Sequence, residues 1–173
     1  MKKSVAQPIT APVRLLEEKS FKRLGQIIRI PEEGSRKPTL QSEAFKFYGN
    51  LGIVAVKDKF ELGVCTFRKR KLETTQLEQH AQTQELLYAI DGDFIMPVAP
   101  IKKIRGAAYP NLDRLEAVLV KQGEGVIFHD GIWHWAPFPV KRKSSVLVGF
   151  NKGTAKNDLV IRDLDVAVVM VRE

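Results

Sequence analysis

From Gly49 onward the chain is a succession of short runs rich in β-branched and aromatic residues, broken by Gly, Asp, Asn or Pro. The runs are Leu51–Val56, Leu62–Phe67, Thr74–His80, Glu85–Ile90, Phe94–Val98 and Leu115–Val120, then Gly125–His129, Ile132–Ala136, Ser145–Phe150, Leu159–Ile161 and Val166–Val171. They recur roughly every 8–12 residues, a spacing that predicts an all-β sandwich or closed barrel. A parallel α/β sheet is excluded, because its strands would be separated by long helical crossovers.

The first part of the chain reads differently. Residues 1–14, with Pro8 and Pro12, are expected to form an extended arm, and residues 15–173 one β domain. Leu15–Leu24 has apolar residues at helical spacing, Glu17 and Glu18 early, Lys22 and Arg23 late, and Gly25 to end it, which predicts a short helix. Gln26–Ile30 predicts a strand stopped by Pro31-Glu32-Glu33-Gly34, and Ser42–Tyr48 suits helix or strand equally.

At 173 residues, 44% of them hydrophobic, the chain can build one core without covalent staples. Cys65 is the only cysteine, which excludes a disulfide scaffold in the monomer and suits a buried core position. No apolar window is long enough to span a bilayer, and the start MKKSVAQPIT lacks the apolar stretch of a signal peptide, so a cytoplasmic protein with no membrane partner is expected.

Lys and Arg outnumber Asp and Glu by 28 to 20, a net +8 that attracts anions. The basic residues are scattered in clusters at 68–71, 101–105 and 141–143, where the apolar pattern pauses. Such clusters read as solvated turns, and their dispersal argues for a small anionic substrate and against nucleic acid.

The three histidines, His80, His129 and His134, fall in two segments. In the first, Glu78 and His80 are two apart, hence on one face of a strand, and Glu85 follows after enough chain for a tight turn. In the second, Gly131 supplies a turn and His134 lies just beyond it. Two carboxylates and one or two imidazoles on facing strands would repel or remain unpaired inside a barrel unless a cation joined them. The mixed nitrogen and oxygen set suits Ni, Mn, Fe, Co or Zn.

Glu78, His80, Glu85 and Gly92 resemble the first cupin motif, His-x-His, three or four residues, Glu, six residues, Gly, with Glu78 in the place of its first histidine. Gly123, His129 (in a slot usually Pro), Gly131 and His134 resemble the second. The resemblance implies a single-domain cupin-like β-barrel or jelly roll, and a divalent metal held by His80, Glu85, His134 and Glu78.

A closer similarity is to the ureidoglycolate lyase family of allantoin (purine) catabolism. It rests on Leu77-Glu78-Gln79-His80, on Gly125 to His134, on Phe21-Lys22-Arg23-Leu24-Gly25, and on Asn151-Lys152-Gly153. Glu85 stands where that family has Gln, Asp130 where it usually has Arg, and Trp135 where it has a second His. The resemblance implies a carbon–nitrogen lyase releasing urea and glyoxylate from ureidoglycolate, commonly as a homodimer. Glu78 is then a candidate for fourth ligand or base, Glu85 for a ligand that also takes part in catalysis, His129 for the acid, and Arg68, Arg70, Lys152 and Trp133 for substrate contact. Trp133 and Trp135 also suit plain barrel packing. Another cupin activity on a hydroxy acid, keto acid or sugar, or a non-catalytic ligand-binding cupin, fits the same residues.

Overall fold

The computed structural model describes residues 7–172. In chain order, β1 (Ile9–Leu15) and the one-turn helix α1 (Glu18–Phe21) precede β2 (Gly25–Ile28) and the small hairpin β3 (Leu40–Gln41) and β4 (Lys46–Phe47). Next come β5 (Phe60–Arg68), β6 (Glu73–Gln79), β7 (Glu85–Asp91), β8 (Phe94–Ala99), β9 (Ile101–Ile104) and β10 (Ala107–Pro110). The chain ends with β11 (Glu116–Val120), β12 (Gly125–Phe128), β13 (Trp133–His134), β14 (Phe138–Pro139), β15 (Lys143–Asn151), the short helix α2 (Thr154–Asn157) and β16 (Val160–Val171). The all-β expectation holds.

Two sheets carry the architecture. The larger runs β11-β1-β16-β6-β13-β8-β14 and closes on itself where β11 also pairs with β8. The smaller runs β2-β12-β7-β15-β5. Side-chain alternation then divides the interior in two. Phe94, Met96 and Val98 of β8 face a core shared with Leu87, Val126, Phe128, Val146 and Val148 of the smaller sheet. Ile95 and Ala99 face the other way, into a second core with Leu77, Trp133, Phe138, Val168 and Met170. All six residues of β8 are buried, as expected of a strand walled by apolar packing on both faces.

Several expectations need correction. Residues 9–15 of the expected arm are a strand inside the larger sheet, parallel to both β11 and β16. Ala11 packs in the second core, so this segment is part of the barrel wall; residues 1–6 lie outside the described residues. The expected helix over Leu15–Leu24 shrinks to one turn because strand pairing claims the chain on both sides of it. Gly25 opens β2 instead of ending a helix: a Cβ there would meet the Ile127 carbonyl oxygen at 2.0 Å, so only glycine allows β2 to lie this close to β12.

The run Leu51–Val56 forms no strand. Side chains satisfy its backbone instead: the Gln26 amide both donates to and accepts from Ile53 (2.8 and 3.0 Å), and Gln84 accepts from the Ala55 N–H (2.9 Å). The basic cluster at 101–105 is the β9–β10 hairpin rather than a bare turn. Its reversal at Arg105-Gly106 has positive φ at both residues, the signature of a turn that matches strand twist. Ile132–Ala136 yields only the two-residue β13, while Leu159–Ile161 and Val166–Val171 merge into β16 across a register shift between Asp163 and Val168.

Candidate metal centre

The site lies between the two sheets and is built from three strands. β6 ends at Gln79 and delivers Glu78 and His80; β7 begins with Glu85; β13 supplies His134, whose backbone is in register with Glu78. Alternation puts Leu77 and Trp133 into the second core and turns Glu78 and His134 the other way.

The ligand atoms of His80, Glu85 and His134 all lie within 4.8 Å of one another, and all three residues are buried. His134 Nε2 is 2.9 Å from Glu85 Oε2, and His80 Nε2 is 3.8 Å from the same oxygen. Glu78 Oε1 approaches His134 Nε2 to 3.8 Å, and its side chain stays partly exposed at the rim. Phe128 stacks on the His134 ring at 5.0 Å, fixing its plane.

Each imidazole is oriented by a backbone carbonyl. His134 Nδ1 donates to the Ile132 carbonyl (3.0 Å), and His80 Nδ1 to the Asp158 carbonyl (2.7 Å). A carbonyl can only accept, so Nδ1 carries a proton in both rings and Nε2 is the ring atom each histidine turns toward the cavity. Asp158 is further fixed by its own carboxylate, which accepts from the Ala81 and Gln82 N–H groups at 2.9 Å each.

Glu85 Oε2 and His134 Nε2 are buried and, despite their proximity, not aligned as a hydrogen bond. Two lone pairs so close inside a protein need a proton or a cation between them. Burial alone would lower the His134 pKa, but the charge of Glu85, then that of Glu78, raises it overall. Burial would raise Glu85, but His134 and, less strongly, His80 hold it below the ordinary carboxylate range. Glu78 moves upward, chiefly through burial and against the pull of His134. The donor set, two Nε2 atoms and one or two carboxylates, fits a divalent transition metal, with carbonyl-anchored imidazoles as such ions require.

The group opens into a cavity of about 350 Å³. Beyond the four polar side chains its wall is apolar, with Phe67, Leu87, Val148, Phe150 and Leu159 among the lining residues, and Cys65 adds a free, exposed thiol where a buried core residue was expected. These residues read as ordinary core in the sequence, and Asp158 left no signal there at all.

The other expected site residues are elsewhere. His129 lies at the far end of β12, its Nε2 3.2 Å from the Lys22 carbonyl and its N–H bonded to Leu24, so it anchors the segment after α1. Phe128 takes the inward direction, which turns the next residue outward. Arg70 binds the Ala136 and Pro137 carbonyls, both at 2.8 Å, and stacks over Phe138 at 3.7 Å, bracing a loop from behind. Arg68 and Lys152 are exposed and do not line the cavity. Trp133 is fully buried in the second core.

Solved structures to which this chain can be aligned include Bacillus subtilis oxalate decarboxylase, at 14% identity over 61% of this chain and 24% of that one, with a TM-score of 0.39. Another is procruciferin, the 11S globulin of Brassica napus, at 12% identity over 60% of this chain and 23% of that one, also with a TM-score of 0.39. The aligned region thus spans about a quarter of those longer chains. No protein of curated function matches the chain. The sequence profile of the ureidoglycolate lyase family, in contrast, matches residues 8–170, from β1 almost to the end of β16 and through every residue of the centre. The chain belongs to the ureidoglycolate lyase family.

Proposed function

We propose that this lyase is metal-dependent and cleaves ureidoglycolate or a close 2-hydroxy acid analogue to an oxo acid and urea, a step of allantoin degradation. The observation that supports this most is the convergence of His80, Glu85 and His134 at the polar end of one cavity, in a chain of this family. A divalent ion bound there would supply Lewis-acid stabilisation to the substrate's hydroxyl and carboxylate oxygens.

The chain's own residues account for the protons. Glu78, at the rim and not part of the tight triad, is the proposed base: it takes the hydroxyl proton as the C–O bond becomes C=O and the C–N bond breaks. The same proton then passes from Glu78 to the departing nitrogen, leaving urea and the oxo acid. The upward shift of Glu78 suits a group that both accepts and returns a proton. Glu85, held ionised, is the proposed carboxylate ligand, with the two Nε2 atoms beside it.

The test is metal analysis of the purified protein together with urea release from ureidoglycolate. Metal uptake with urea release that disappears in Glu78→Gln supports the assignment. No urea release after reconstitution with Mn, Fe, Co, Ni and Zn would overturn it.

A homodimer in the cytosol belongs to the same proposal. No helix among the described residues is long and apolar enough to cross a membrane. The exposed free thiol of Cys65 suits a reducing compartment. Among the described residues β5 is an edge strand of the smaller sheet, and it shows Leu62 and Val64 to solvent, 59% and 60% exposed. Such an edge can pair with its own copy about a two-fold axis. Light scattering that reports a dimer for the native chain and a monomer for Val64→Lys supports this, and a native monomer overturns it.

A further inference from the structure

A second cavity, of about 450 Å³, lies between the β9–β10 hairpin, the turn that follows it and β16. It shares no lining residue with the cavity of the metal centre. The pairing of β16 with β6 shifts register between Asp163 and Val168, and the residues within that shift form one side of the space. Arg162 is paired with Leu77, so its side chain leaves the sheet on the face of the second core, opposite to that of Glu78. Its guanidinium lies over the Tyr109 ring at 4.0 Å and comes to 5.8 Å from that of Trp133.

The charges around this cavity do not cancel in place. Lys102 is bound to Asp113 at 3.0 Å, and Asp163 accepts from the Gln76 amide at 2.8 Å. Arg162 and Asp165 are left. Among the described residues neither side chain makes a hydrogen bond or an ion pair, and the Arg162 Nε–H is buried without an acceptor. An unpaired buried N–H costs free energy, and in a native fold it marks a place where water or a ligand is received. A guanidinium is shaped to take a carboxylate through two parallel hydrogen bonds. Asp165, exposed at the same cavity, is complementary to an ammonium. A simple anion would meet Asp113, Asp163 and Asp165, and a simple cation would meet Arg162. A ligand that carries both charges is matched by both. The remaining wall, with Ile104, Leu112, Leu164 and Val166, offers burial to carbon, and the volume suits a small organic molecule.

We propose that this second cavity binds a small zwitterion of the α-amino-acid type, with its carboxylate on Arg162, its ammonium on Asp165 and its side chain against the apolar wall. The site is separate from the metal centre and does not depend on the reaction carried out there.

Calorimetric titration of the full chain with L-leucine, L-phenylalanine and L-glutamine tests this, with Zn(II) bound and without it. Saturable binding of at least one of the three, equal in the two conditions, is expected. The tightest of them is then compared with its des-amino acid and its decarboxylated amine. Each analogue lacks one charge and should bind at least about tenfold more weakly. Arg162→Gln and Asp165→Asn should each weaken the amino acid to a similar degree. Asp165 is exposed and unpaired, so its variant keeps the fold and decides the matter even where Arg162→Gln does not fold. Binding of none of the three overturns the proposal. So does binding that needs Zn(II), which places the amino acid at the metal centre, and so does binding that Asp165→Asn leaves unchanged or that either analogue equals.

Discussion

His134 Nε2 lies 2.9 Å from Glu85 Oε2 while the opposite ring nitrogen is held by the Ile132 carbonyl, so the imidazole cannot turn away from the carboxylate. The two groups are fixed face to face whether or not anything lies between them. Loss of either therefore removes one of the three buried donors of the centre. Glu85→Gln and His134→Ala are each expected to weaken metal binding by at least about 100-fold, more than typically follows loss of an outer hydrogen-bond partner. Calorimetric titration with Zn(II) checks this.

The same pair sets a pH dependence in the metal-free protein. His134 is raised, so its contribution to stability is complete below the ordinary histidine pKa and disappears as pH rises through its higher folded value. Glu85 is lowered, so its contribution is present above the ordinary carboxylate pKa and disappears as pH falls through its lower folded value. The metal-free melting temperature should pass through a maximum between these limits. Metal replaces the His134 proton, so the stabilisation it adds should grow toward alkaline pH. Thermal melts across pH, with and without Zn(II), measure both limbs.

Asp158 holds His80 through its carbonyl and the 80–82 turn through its carboxylate. Asp158→Ala keeps the carbonyl but frees the turn, leaving two N–H groups without their acceptor. A stability loss of about 1–3 kcal/mol is expected, together with roughly tenfold weaker metal binding. Denaturant unfolding and metal titration of the same variant separate the two effects.

Arg70 was a candidate for substrate binding, and its contacts assign it to the scaffold. Arg70→Ala removes two hydrogen bonds and a cation–π contact, which is expected to cost about 1–2 kcal/mol of stability. Thermal denaturation reads this as a drop of a few degrees.

The barrel and its chemical groups were legible in the sequence because both are written locally. The strand rhythm needs only neighbouring residues, and Glu78, His80, Glu85 and His134 fall into short motifs whose spacing survives folding. What long-range pairing decides was not legible. Nothing within residues 9–15 says that they will lie between β11 and β16. Leu51–Val56 has strand composition, yet the side chains of Gln26 and Gln84 take the hydrogen bonds a neighbouring strand would have made. His129 occupies a motif slot, but the inward direction at that strand end belongs to Phe128. The cavity wall of Leu87, Val148 and Phe150 looks in the sequence like any other barrel interior.

β13 is only two residues long, and those residues look into different interiors: Trp133 into the core enclosed by the larger sheet, His134 into the cavity. β6 repeats the arrangement with Leu77 and Glu78. The bite of the chelating groups is therefore set partly by packing that never meets a ligand. Conservative drift among Ile95, Phe138 and Met170 could retune the grip on a cation while every donor atom stays the same, giving this fold a remote adjustment for its chemistry.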